Sequence, residues 1–105
     1  MKYYNSQIPL ALAEKLKEKG MPMQDAYTPI LYDKPESVMS GYIIPSYSEV
    51  FDWLIEKGMH ITIDPVFGDS STRYSWVINY DATISVYSTW HEAAEKAIEK
   101  ALTLI

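Results

Sequence analysis

Apolar positions recur along the chain with two periods, and the period changes at Gly and Pro. Ile8, Leu12 and Leu16 stand four apart with Ala13 beside them, which predicts a helix over 6–19. Ser6 is placed to cap it, and Pro9 is tolerated in a first turn whose N–H groups lack intrahelical partners. Gly20 suits the left-handed stop, and Pro22 bars continuation. A second helix starts at Ser46, where Ser46 and Glu49 make the S-x-x-E capping box. Tyr47, Val50, Phe51 and Leu54 supply its apolar stripe, and Lys57-Gly58 closes it. Thr89 and Glu92 make another capping box. Behind it, Ala94, Ala97, Ile98, Ala101, Leu102 and Ile105 form one stripe at helical spacing.

Between the helices the period drops to two. Tyr27–Tyr32 and Val38–Ile44 read as strands around a turn at Asp33-Lys34-Pro35-Glu36, with Pro29 confining the first to an edge. After the second helix, Met59, Ile61 and Ile63 alternate with His60, Thr62 and Asp64. Gly68–Ser71 turns the chain, and Tyr74, Trp76, Ile78 and Tyr80 share a face of the next strand. Trp76, in the middle of that face, is expected to be buried under the last helix against Ala97 or Ile98. Asp81-Ala82-Thr83 reads as the following turn and Ile84–Tyr87 as the third strand. The order α–β–β–α–β–β–β–α predicts an α+β two-layer sandwich, an antiparallel meander with the helices on one face. Its 105 residues suit one domain, 1–105.

Composition narrows the function classes. Fourteen acidic residues against nine basic ones give a formal charge of −5, with only Lys15, Lys17 and Lys19 clustered. That argues against nucleic acid and against an anionic membrane surface as partners. No cysteine is present, which excludes disulfides, thiol catalysis and Cys-ligated zinc and fits a cytoplasmic setting. The apolar run Ile8–Ala13 is too short for a secretory leader or a membrane span.

Catalytic signals are sparse. His91-Glu92-Ala93-Ala94-Glu95 begins like H-E-x-x-H but has Glu95 where the second histidine belongs. His60 and Asp64 share a strand face, separated by roughly 13 Å of rise. No G-x-S-x-G elbow and no Gly-rich phosphate loop exists. The expectation is a non-catalytic protein with no cofactor and no metal. Nine Tyr, three Trp and two Phe are more aromatics than a small core needs. Those outside it, drawn from Tyr3, Tyr4, Tyr27, Tyr32, Tyr42 and Trp90, form a candidate contact surface. Tyr27, Tyr32, Tyr42 and Trp90 are its chief members, for a protein partner or for a homodimer made along the Val38–Ile44 edge.

Two resemblances add to this reading. The α–β–β–β–α order from Ser46 onward resembles a double-stranded-RNA-binding domain, which implies a Lys-rich start to the last helix. Here that start reads Thr89-Trp90-His91-Glu92-Ala93, with no lysine before Lys96, so RNA binding does not carry over and a nucleic-acid-associated accessory protein is the second reading. The pieces Ala11-x4-Leu16-x3-Gly20, Pro45-Ser46-Tyr47-x2-Val50-Phe51-x-Trp53-Leu54-x2-Lys57 and Glu92-Ala93-Ala94-x2-Ala97-Ile98-x-Lys100-Ala101-Leu102 cover most of the chain. They resemble a group of small proteins, of function unknown, found in phages and mobile elements of gut bacteria. That likeness implies cytosolic expression and an accessory role, and it supplies no catalytic residue, ligand or mechanism.

Overall fold

Tertiary pairing delays the first helix. In the computed structural model, which describes residues 5–24, 38, 39, 41–67, 72–83 and 85–105, α1 spans Leu10–Glu18. Ser6 does not cap it: Pro9 stands at the cap with no side-chain hydrogen bond. The segment before it is held extended instead, because the Ile8 N–H donates to the Pro45 carbonyl at 3.1 Å and the Ser6 carbonyl accepts from the Tyr47 N–H at 3.0 Å. The end of α1 follows the expectation: Gly20 takes φ +93°, and the Met21 N–H reaches back to the Leu16 carbonyl.

The remaining elements are β1 (Val38–Met39), β2 (Tyr42–Ile43), α2 (Tyr47–Glu56), β3 (Ile61–Phe67), β4 (Thr72–Ile78), β5 (Asp81–Ala82) and α3 (Trp90–Leu102). This is a mixed helix-and-sheet protein containing a three-stranded antiparallel sheet, β3-β4-β5, and a separate β1-β2 hairpin. The chain divides into two compact units, Met1–Glu49 and Val50–Ile105.

In the first unit one strand differs from the sequence reading. The span Val38–Ile44 is a hairpin in itself, with Val38 opposite Ile43 and Gly41 at φ +83° in the bend. The expected strand Tyr27–Tyr32 and its turn, Asp33–Glu36, lie outside the described residues. The outer edge of β2 is also engaged, since the Ile43 N–H donates to the Gln24 carbonyl at 2.8 Å. The edge expected to self-pair along Val38–Ile44 is therefore engaged at Ile43 within its own unit.

In the second unit the turn after β4 falls at Asn79-Tyr80, earlier than the sequence suggested. Ile78 faces Asp81, and Asn79 adopts φ +57°, which a two-residue hairpin requires and Asn tolerates. Its side chain accepts from the His60 N–H at 2.9 Å and donates to the Gly58 carbonyl at 3.1 Å. Ser85 and Val86 are not in a strand and Tyr87 forms an isolated bridge, while Ile84 of the expected third strand lies outside the described residues. Continuing the Val77↔Ala82 register would set Tyr74 opposite Ser85, but Tyr74 bridges Tyr87, two positions further on.

A capping box holds the start of α2, and a side-chain cap holds that of α3. Glu49 N–H donates to Ser46 Oγ at 3.3 Å and Ser46 N–H to Glu49 Oε1 at 3.3 Å. Thr89 Oγ1 accepts from the Glu92 N–H at 3.0 Å. The alanine stripe lets α3 pack closely on β3 and β4, with Ala94, Ala97, Ile98 and Ala101 buried alongside Ile61, Ile63 and Ile78. Among the described residues Leu16, Val50, Leu54 and Ile98 are the largest fully buried side chains, each contributing ~1.5–3 kcal/mol by leaving water.

Candidate functional site

Burial fades along one face of the sheet. Side chains alternate across β3 and β4, so Ile61, Ile63, Pro65 and Phe67 share a face with Ile78, Trp76, Tyr74 and Thr72 across the ladder. At one end Ile61, Ile63 and Ile78 are buried. At the other, Tyr74 and Trp76 are half-buried, Pro65 is exposed, and Phe67 stands 79% exposed. The result is an apolar, aromatic shelf of Pro65, Phe67, Tyr74 and Trp76. Trp76 is thus not the buried centre that its place in the pattern suggested. Among the described residues its Nε1 nonetheless has no hydrogen-bond partner, although that atom itself is shielded from solvent.

Of the aromatic residues named from the sequence, Tyr42 and Trp90 are among the described residues. Tyr27 and Tyr32, like Tyr3 and Tyr4, lie outside the described residues. Tyr42 is half-buried, with Lys17 Nζ 4.1 Å above its ring. Trp90 is only 4% exposed and belongs to the core, edge-on to Phe51 at 6.1 Å and to His91 at 5.4 Å. It opens α3 on the side that turns inward, which corrects its placement on a contact surface. Phe67 went unnoticed, although the Ile61/Ile63 alternation, carried through Pro65, reaches it.

The titratable candidates are scattered. Among the described residues no group of three or more His, Asp or Glu is gathered to hold a metal ion. His91 rests against Trp90, while His60 borders a hollow of about 520 Å³ lined by Gly58, Thr62, Asn79 and Tyr80. Lys15, Lys17 and Lys19 close α1 in the first unit, and Arg73 lies on β4 in the second. The first unit has its own hollow, about 470 Å³, bordered by Gln7, Met23, Gln24, Ile44, Ser46 and Glu49. Three of its polar side chains are engaged: Gln7 Nε2 donates to the Ile44 carbonyl, and Ser46 Oγ bonds Glu49 Oε1.

No family model, curated protein or solved structure matches the chain. Among the described residues no helix is long and apolar enough to cross a membrane.

Proposed function

We propose that the protein is a small non-catalytic interaction module, an accessory protein of the cytoplasm, and that the aromatic shelf is where a protein partner docks. The observation that carries this reading is Phe67, 79% exposed and continuous with Pro65, Tyr74 and Trp76 on one face. Single exposed apolar residues are ordinary, but a contiguous aromatic patch marks a contact surface. The charge of −5 and the acidic first turn of α3 weigh against nucleic acid as that partner. The packing of α3 on β3 and β4 supports the two-layer α+β arrangement in the second unit.

The test is affinity capture from native host lysate with the wild-type protein and with Phe67→Asp, with and without nuclease. An exposed strand-end side chain contributes within about 0.5 kcal/mol to stability, so the variant should melt with the wild type. The expected result is a protein captured by the wild type and lost with Phe67→Asp. Equal capture by both overturns the assignment of the shelf. Capture abolished by nuclease overturns the protein-binding reading in favour of a nucleic-acid-associated accessory protein.

A further inference from the structure

Among the described residues β3 is an edge of its sheet, and its pairing with β4 determines which backbone groups face outward. The Asn79 N–H donates to the His60 carbonyl, and Tyr74 exchanges both its bonds with Tyr87. In the alternation of an antiparallel ladder, Thr62, Asp64 and Val66 therefore spend their backbone groups on β4. Ile61, Ile63, Pro65 and Phe67 turn theirs away from it. Pro65 has no N–H to lose, which is why it is tolerated at this outward position. It also confines any further pairing largely to Ile61–Ile63.

We propose that two copies of this chain pair antiparallel along β3, with the twofold axis at Thr62. This goes beyond the shelf, which lies on the α3-covered face. In this register Ile61 of one copy exchanges backbone bonds with Ile63 of the second, and the reverse, which uses every outward N–H before Pro65. Thr62 meets Thr62 on the open face, a favourable cross-strand pair. His60 of each copy falls opposite Asp64 of the other, so an imidazole N–H donor faces a carboxylate twice. Both side chains are exposed in the single chain. The register also carries Val66, 39% exposed, toward the hollow that Gly58, His60 and Thr62 border. Shifting the axis to Asp64 would instead set two carboxylates against each other, which is unfavourable. The contact is short, so the dimer forms at high micromolar concentration and its mass depends on concentration.

The chain lacks cysteine, so one introduced thiol reports one position. Thr62→Cys places two thiols at a non-hydrogen-bonded pair, about 4.5 Å between Cα atoms, within disulfide reach. Ala82→Cys is exposed on β5 and reports random collision. In a glutathione redox buffer Thr62→Cys should form the covalent dimer at least about tenfold faster than Ala82→Cys. Adding Asp64→Lys should remove that advantage, because the lysine would face His60 and leave it without its acceptor. Light scattering on the wild type should move from 12.0 kDa toward twice that mass as concentration rises. Equal oxidation rates for the two thiols overturn the pairing whatever the mass. A rate advantage that survives Asp64→Lys overturns the His60–Asp64 register.

Discussion

Asn79 offers the sharpest test of how the second unit is held together. It does two separable things: its backbone sits at φ +57°, and its side chain joins the His60 N–H to the Gly58 carbonyl. Each side-chain bond is exposed, so its net worth lies near the low end of about 0.5–1.5 kcal/mol, roughly 1.5 for the two together. Asn79→Gly loses both bonds but accepts the backbone conformation, at an entropic cost of about 0.5 kcal/mol. It should therefore destabilise by about 2 kcal/mol. Asn79→Ala loses the same bonds and adds about 1–2 kcal/mol for an L side chain in the left-handed region, about 3 kcal/mol in all. Thermal unfolding followed by circular dichroism should lower the melting temperature by about 10 °C for Gly and about 15 °C for Ala. The order decides the matter. If the Ala variant is as stable as the Gly variant, the turn is not held at a positive φ. If both match the wild type, the bridge to His60 and Gly58 contributes nothing to folding.

Gly58 takes φ +84° and a Cβ built there meets no atom within 4 Å, so Gly58→Ala should cost about 1–2 kcal/mol from backbone strain alone; an unchanged urea midpoint would contradict that conformation. Trp76→Phe removes a shielded N–H that lacks a hydrogen-bond partner among the described residues while keeping most of the ring, so stability should hold or rise by up to about 1 kcal/mol, and a loss above about 2 kcal/mol in chemical denaturation would show that the N–H is bonded after all.

Signals that act within one turn of chain were readable without the fold. The Ser46–Glu49 box, the Thr89 cap and the stops at Gly20 and Gly58 depend on residues no more than a few positions apart, and all four stand in the structure. The alanine stripe of α3 was equally legible, since a 3.6-residue period marks a buried face whatever covers it. What the sequence left open was settled by partners distant along the chain. Helix α1 begins at Leu10, not Ser6, because Pro45 and Tyr47 take up the backbone groups of Ile8 and Ser6. The third strand moved because Asn79 could adopt a left-handed turn that ties it to His60 and Gly58. The exposure of the aromatics was decided in the same way. Trp90 and Phe67 are both large aromatics at element ends, and nothing local separates them. Trp90 packs against Phe51 and is buried, whereas Phe67 continues a sheet face past the stretch that α3 covers and stays in solvent. Periodicity tells which residues share a face, but how far along that face a neighbouring element extends is a property of tertiary packing alone.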